Sequence, residues 1–174
     1  MATKNTNSKK GFTIIEVVLV LAIAGLIFLM VFIAYPALRR SQADTERRTA
    51  LSEALAQVST YKTNNRKVPA AQADLTKLRD NYLGGTSKFV DPDGTAYTFV
   101  FSDGCHGVAA GTACTVTAGN KGVAANFAAN AHKIYYYDYA TCNGETVVAS
   151  TGKYDVAITY RLENGVYCGT NSEK

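Results

Sequence analysis

Few side chains in this sequence are placed to do chemistry, and the most telling is a single carboxylate. Glu16 lies in an apolar run from Phe12 to Tyr35, where it is the only ionisable group besides the Tyr35 phenol. A carboxylate inside hydrocarbon costs roughly 2.5–3.5 kcal/mol on translocon-type scales. Glu16 sits near one end, where it can snorkel to a headgroup layer or wait for a partner cation. A cut after Gly11 would create such a cation, the α-amine of Phe12. Phe12 and Glu16 are four apart, so a helix puts both on one face near the same end. Subunits packed side by side with an axial offset could pair the amine of one with the carboxylate of the next.

The remaining reactive groups are sparse. Cysteines stand at 105, 114, 142 and 168, all beyond the apolar run. Four cysteines allow three connectivities, and an even count argues for disulfides if the part of the chain beyond the apolar run is exported. The pairs Cys105–Cys114, closing a local loop, and Cys142–Cys168, joining the last strands, are favoured. The absence of a Cys-x-x-Cys pair makes a structural zinc site an unattractive reading. His106 adjoins Cys105, but a thiol nucleophile needs a histidine and an orienting third group meeting in space. A disulfide cysteine beside a loop histidine is the simpler reading. Asp91, Asp93 and Asp103 hint at a calcium loop, yet Asp91-Pro92-Asp93-Gly94 lacks the remaining ligand pattern. No Gly-x-Ser-x-Gly, phosphate loop or His-Glu-x-x-His occurs. The expectation is therefore no enzyme, no metal and no cofactor.

The elements that must position these groups follow from periodicity. The 24 residues Phe12–Tyr35, as a helix, rise ~36 Å at ~1.5 Å per residue, enough for a bilayer core of ~30 Å. Ala22, Ala24 and Gly25 offer small positions where neighbouring helices approach closely. Gly25 weakens the helix, and Pro36 is expected to kink or melt it around Phe32–Tyr35. From Ala37 to about Asn64 the pattern turns amphipathic, with Leu51, Ala54, Leu55, Val58 and Tyr61 on one stripe. Arg39, Arg40, Asp44, Glu46, Arg47 and Arg48 precede that stripe. They read first as a solvated face, and alternatively as pairs between subunits or headgroup contacts.

Asn64-Asn65 and Val68-Pro69 end the helix, and Ala70–Tyr82 fits a short second one stopped by Gly84-Gly85. After the Asp-Pro-Asp-Gly turn the period shifts to two at Tyr97, Phe99 and Phe101. Further strands are expected over residues 113–118, 133–139, 145–149 and 154–162, with a hairpin turn at Glu163-Asn164-Gly165. Residues 102–130 read as a long loop region. Of Tyr135, Tyr136, Tyr137 and Tyr139, alternate members should face opposite sides, some core and some exposed. The fold class is α+β, a long N-terminal α-helix packed on a C-terminal antiparallel β-sheet. No internal repeat is visible.

The formal charge is +4, but three of the 18 basic residues, Lys4, Lys9 and Lys10, precede Phe12. The remainder carries 15 basic against 14 acidic residues, so net charge implies no nucleic-acid surface. The segment before Phe12 is too short and polar for an ordinary secretory signal, because the apolar run follows the cut site. Its lysines fit a cytoplasmic end.

Lys9-Lys10-Gly11-Phe12-Thr13-Ile14-Ile15-Glu16 followed by an apolar helix resembles the prepilin leader and N-terminal helix of type IV pilins and pseudopilins. The resemblance covers about residues 9–50. It implies cleavage at Gly11–Phe12 by a prepilin peptidase and methylation of the Phe12 amine. It also implies filament assembly through Phe12 and Glu16, and an outward-facing C-terminal domain. The implied partners are like subunits in a helical filament, and indirectly an assembly platform with its ATPase motor. The membrane would hold the precursor and the cell surface the product, serving adhesion or motility. The parts are then a leader (1–11), a transmembrane and filament-core helix (12–36), an amphipathic half (37–65) and a globular disulfide-bearing region (66–174). Competing expectations are a pseudopilin of a secretion or DNA-uptake machine, an uncleaved single-span binding protein and an extracellular thiol enzyme.

Overall fold

The computed structural model describes residues 11–102, 105–114, 132–163 and 165–172. The leader lysines, Asp103, Asn164, most of the expected 102–130 loop and the expected strand past Cys114 lie outside the described residues. The chain forms two compact units, residues 1–41 and 42–174. Helix α1, Ile14–Asn65, contributes to both.

In the first unit the helix is apolar on every side and long enough to cross a membrane. The melting expected around Phe32–Tyr35 is absent, because Gly25 and Pro36 both lie within continuous helix. Proline removes one donor and crowds the carbonyl one turn back, which costs about 3 kcal/mol in a helix interior. That penalty falls on one position of a 52-residue helix. In apolar surroundings, opening several backbone bonds would cost more than tolerating one missing bond.

The second unit begins with the amphipathic part of α1. Leu51, Ala54, Leu55, Val58 and Tyr61 are all buried, as the three-and-four spacing requires. Helix α2, Gln72–Tyr82, adds Leu75 and Leu78 to the same core. It ends where Gly84 turns into left-handed backbone at φ +78°. Six strands follow: β1 (Thr98–Ser102), β2 (Lys133–Asp138), β3 (Ala140–Asn143), β4 (Thr146–Ala149), β5 (Val156–Leu162) and β6 (Gly165–Thr170). Strands β1-β2-β5-β6 form one sheet in that order, and β3-β4 a separate hairpin.

The sheet is mixed rather than purely antiparallel. β1 pairs parallel with β2, Thr98 opposite Lys133, while β2–β5 and β5–β6 are antiparallel. A parallel pair needs a long return connection, and some 30 residues separate β1 from β2. Strand β3 was not expected from the sequence. It takes off where Tyr139 adopts φ +51° and redirects the chain out of β2.

The tyrosine run alternates between the two faces of this sheet as expected, but both faces are covered, so neither set is exposed. Ile134 and Tyr136 face the core made with α1 and α2, whereas Tyr135 and Tyr137 pack with Cys105, Cys114 and Val147. Tyr135, Tyr136 and Tyr137 are consequently all buried, and Tyr139 is half-buried. Cys105–Cys114 and Cys142–Cys168 are both disulfides, in the pairing favoured from the sequence. The first braces a loop that hydrogen-bonds along β4 through Cys114 N to Val147 O and Ala149 N to Thr112 O. The second ties β3 to β6, with Cα atoms 5.9 Å apart.

Candidate functional site

The site of interest is the start of α1. Gly11, Phe12 and Thr13 precede the helix and have no helical assignment. Gly11 is exposed with open space where a Cβ would stand, and Phe12 is 90% exposed. The Gly11–Phe12 peptide is thus in open, non-helical backbone, the condition a peptidase needs. Phe12 and Glu16 lie on one side of the chain with Val17, Val20 and Leu21, which places the two sequence-singled residues together.

Glu16 has a local partner that the sequence reading missed. The Thr13 N–H donates to Glu16 Oε2 at 2.9 Å, and the Thr13 hydroxyl donates to the same oxygen at 2.8 Å. Glu16 N and Val17 N in turn reach Thr13 O at 3.2 and 3.4 Å. Thr13-Ile14-Ile15-Glu16 is a Thr-x-x-Glu helix start, in which the acid three residues in returns to the cap backbone. The Thr-x-x-Glu signal is present in the sequence, within an apolar run that dominates its pattern. The carboxylate also faces the positive end of the helix dipole. Glu16 therefore starts from a satisfied state, and an incoming ammonium must share or replace two hydrogen bonds.

Beyond Glu16 the helix offers no polar chemistry until Tyr35 and Arg39, whose Nε donates to the Tyr35 hydroxyl at 2.7 Å. Ile14, Leu26, Phe28, Met30, Phe32 and Leu38 are all exposed. An apolar surface of this extent calls for lipid or another apolar surface as its surroundings.

A second polar cluster lies inside the globular unit. Arg47 on α1 makes a two-pronged contact with Asp91, Nε to Oδ2 at 2.8 Å and Nη2 to Oδ1 at 3.1 Å. Its Nη1 also reaches Asp44 at 3.0 Å and Glu163 at 3.4 Å. The Tyr160 hydroxyl donates to Asp91 Oδ2 at 3.1 Å. Burial pushes the Asp91 carboxyl up, but the Arg47 hydrogen bonds and charge outweigh it and hold Asp91 below its ordinary value. The same contact raises the Arg47 guanidinium further. Burial, with the Asp91 charge adding to it, also raises the Tyr160 phenol. This cluster fastens α1 to the Asp-Pro-Asp-Gly turn and to the end of β5. Of the charged residues expected on a solvated face, Asp44 and Arg47 are buried instead, because Asp91 supplies a partner that no local pattern reveals.

Asp91, Asp93 and His132 bring one ligand atom each within 4.8 Å of one another. Asp91 is already occupied by Arg47, Tyr160 and the Asp93 N–H, so a cation there would have to compete with a guanidinium. His132 Nε2 stands 3.3 Å from Asp93 Oδ2. The thiol-enzyme reading is corrected, because Cys105 is bonded to Cys114 and among the described residues no cysteine is free. His106 Nε2 instead contacts Asp138 Oδ2 at 2.9 Å.

Comparison with known families converges on the helix start. Residues 6–32 match the prokaryotic N-terminal methylation motif. The match contains Gly11, Phe12, Thr13 and Glu16, and residues 33–174 lie outside it. The chain thus carries a methylation motif that runs across the Gly11–Phe12 bond and into the first part of α1. No curated protein and no solved structure matches the chain.

Proposed function

We propose that this chain is a pilin, a structural subunit that polymerises into a type IV pilus filament at the cell surface. The observation that carries the reading is a coincidence in one segment: the methylation motif overlies a helix whose apolar side chains have no cover within their own unit. In this reading a prepilin peptidase cuts Gly11–Phe12 and methylates the new Phe12 amine. The span holds the subunit in the membrane until then. Afterwards the amine of one subunit pairs with Glu16 of its neighbour, and the helices leave lipid for a bundle of like helices. That exchange sacrifices little hydrophobic free energy, since a helix bundle is about as apolar as lipid tails. Repeated contacts that do not close on themselves produce a helical filament.

The geometry at Glu16 adds a step to this route. Before cleavage the carboxylate is held by Thr13, which lowers the cost of keeping it in the membrane. A charged amine is a stronger partner than a neutral hydroxyl or amide, because it adds attraction between two full charges, which is large where water is excluded. The exchange then runs toward assembly only after processing. The two disulfides and the nearly neutral processed charge suit an exported domain.

Mass spectrometry of the native N-terminus tests the reading. N-methyl-phenylalanine at position 12 is the expected result. Met1 or Ala2 at the terminus would establish an uncleaved anchor instead.

A further inference from the structure

The main sheet has two edges, and they are treated differently. The β1 edge is capped from within the chain. Gln72, the first residue of α2, donates Nε2 to Phe99 O at 2.7 Å, and its Oε1 accepts from Phe101 N at 2.8 Å. One side-chain amide thus stands in for the neighbouring strand. At the opposite edge, β6 pairs among the described residues with β5 alone. Leu162 opposite Gly165 closes the hairpin, so the ladder alternates from there. Gly165, Tyr167 and Gly169 turn their main chain toward β5, and Val166, Cys168 and Thr170 turn theirs outward. Among the described residues, the outward N–H and C=O groups of these three have no backbone partner.

Natural edges are usually blunted by lysine, proline, a bulge or a covering element. Gly165-Val166-Tyr167-Cys168-Gly169-Thr170 contains no charge and no proline. Its position is fixed from both faces. Cys168 is bonded to Cys142 of β3, and Gly169 lies against Leu55 of α1, where an added Cβ would come within 2.7 Å of Leu55 Cδ1. Three donors and three acceptors are therefore held in strand geometry, ready for a further strand.

We propose that the β6 edge is a docking site for the β6 edge of a second copy of this chain, paired antiparallel about a two-fold axis. The edge is complementary to itself. With Cys168 facing its own copy, the outward groups of Val166 meet those of Thr170 on the partner strand, and the reverse. The neutral strand sets no like charges opposite one another, so self-pairing carries no repulsion. A two-fold contact cannot repeat along a polar filament. The two copies therefore belong to different filaments, and the contact joins filaments side by side. The filament part rests on the pilin reading, but the pairing itself does not.

Full-length protein in detergent micelles tests the pairing before any filament forms, so it can fail while leader processing and filament growth succeed. V166K/T170K sets lysines opposite lysines in the pair, and V166K/T170E sets lysine opposite glutamate. Both lose the Thr170 hydroxyl's bond to Val156 O, so they are matched controls for folding. A water-soluble carbodiimide is applied to a mixture of isotopically light and heavy chains. V166K/T170E is expected to give hybrid peptides with an amide between positions 166 and 170 of different copies. In V166K/T170K filaments, side-by-side bundling seen by electron microscopy is expected to disappear. Absence of the inter-copy link, or unchanged bundling of V166K/T170K filaments, would overturn the proposal. So would recovery of a link from position 166 or 170 to a different protein.

Discussion

Between Ile14 and Leu38 helix α1 keeps its isoleucines, leucines and phenylalanines exposed, while between Asp44 and Tyr61 the same helix buries every third or fourth residue. The backbone rules are identical in both stretches. In the later stretch apolar area leaves water as the globular unit folds, so stability is stored in that unit. In the earlier stretch the side chains find no cover in their own unit. Their stability must come from surroundings outside the chain, lipid first and like helices later in our account. The lesson is that equal hydrophobicity in two parts of one helix can serve folding in one and assembly in the other.

Substitutions sharpen the contrast. Arg47→Ala leaves the buried Asp91 carboxylate without its counter-charge, and breaking a buried pair this way costs about 3–5 kcal/mol. Chemical denaturation of detergent-solubilised protein is expected to show that loss in the globular unit. Leu29→Ala, in the exposed stretch, should leave the same transition within about 0.5 kcal/mol. A comparable loss from both would erase the distinction between the two stretches.

The Arg47–Asp91 pair also sets a pH dependence. Asp91 has a folded-state pKa below its ordinary 3.8. Its contribution is therefore fully present above that ordinary value and is lost as pH falls through the lower folded value. Melting of the globular unit should be insensitive to this group near neutrality and fall below about pH 4. Arg47→Ala should flatten that acid limb.

The disulfides give the next effect. Opening Cys142–Cys168, with a sequence separation of 26, removes about 3.5 kcal/mol in the chain-entropy model, against about 2.6 for Cys105–Cys114 at a separation of 9. Paired Cys→Ser variants compared by thermal melting should keep that order. A smaller loss than from either disulfide is expected at Thr13→Ala, roughly 1 kcal/mol for a lost helix cap. It should leave the melting of the globular unit unchanged and loosen the first turn, read by faster amide hydrogen exchange at Glu16 and Val17.

What the sequence disclosed depended on how local the cause was. The buried stripe from Leu51 to Tyr61, helix α2 and the hairpin into β6 each follow from spacing or turn residues a few positions apart. The favoured disulfides also paired neighbours along the chain. Non-local causes stayed hidden. Arg47 is buried because Asp91 stands 44 residues away, and β1 runs parallel to β2 because a long connection lets it return. Tyr135 and Tyr137 are buried because the β3-β4 hairpin and the Cys105–Cys114 loop cover that face. At the candidate site, Glu16 and Phe12 stood out as anomalies of type and spacing. Thr13 did not, since a threonine at a helix start is unremarkable until its bonds to Glu16 are seen.

The central claim is that a carboxylate held by Thr13 in the precursor passes to an ammonium on an adjoining subunit. A cryo-electron-microscopy map of the native filament, at a resolution that shows side chains, measures this directly. The account predicts a chain beginning at Phe12, with its nitrogen within about 4 Å of Glu16 on a neighbour. A filament whose subunits retain residues 1–11, or whose Glu16 meets no neighbour's amine, would contradict it.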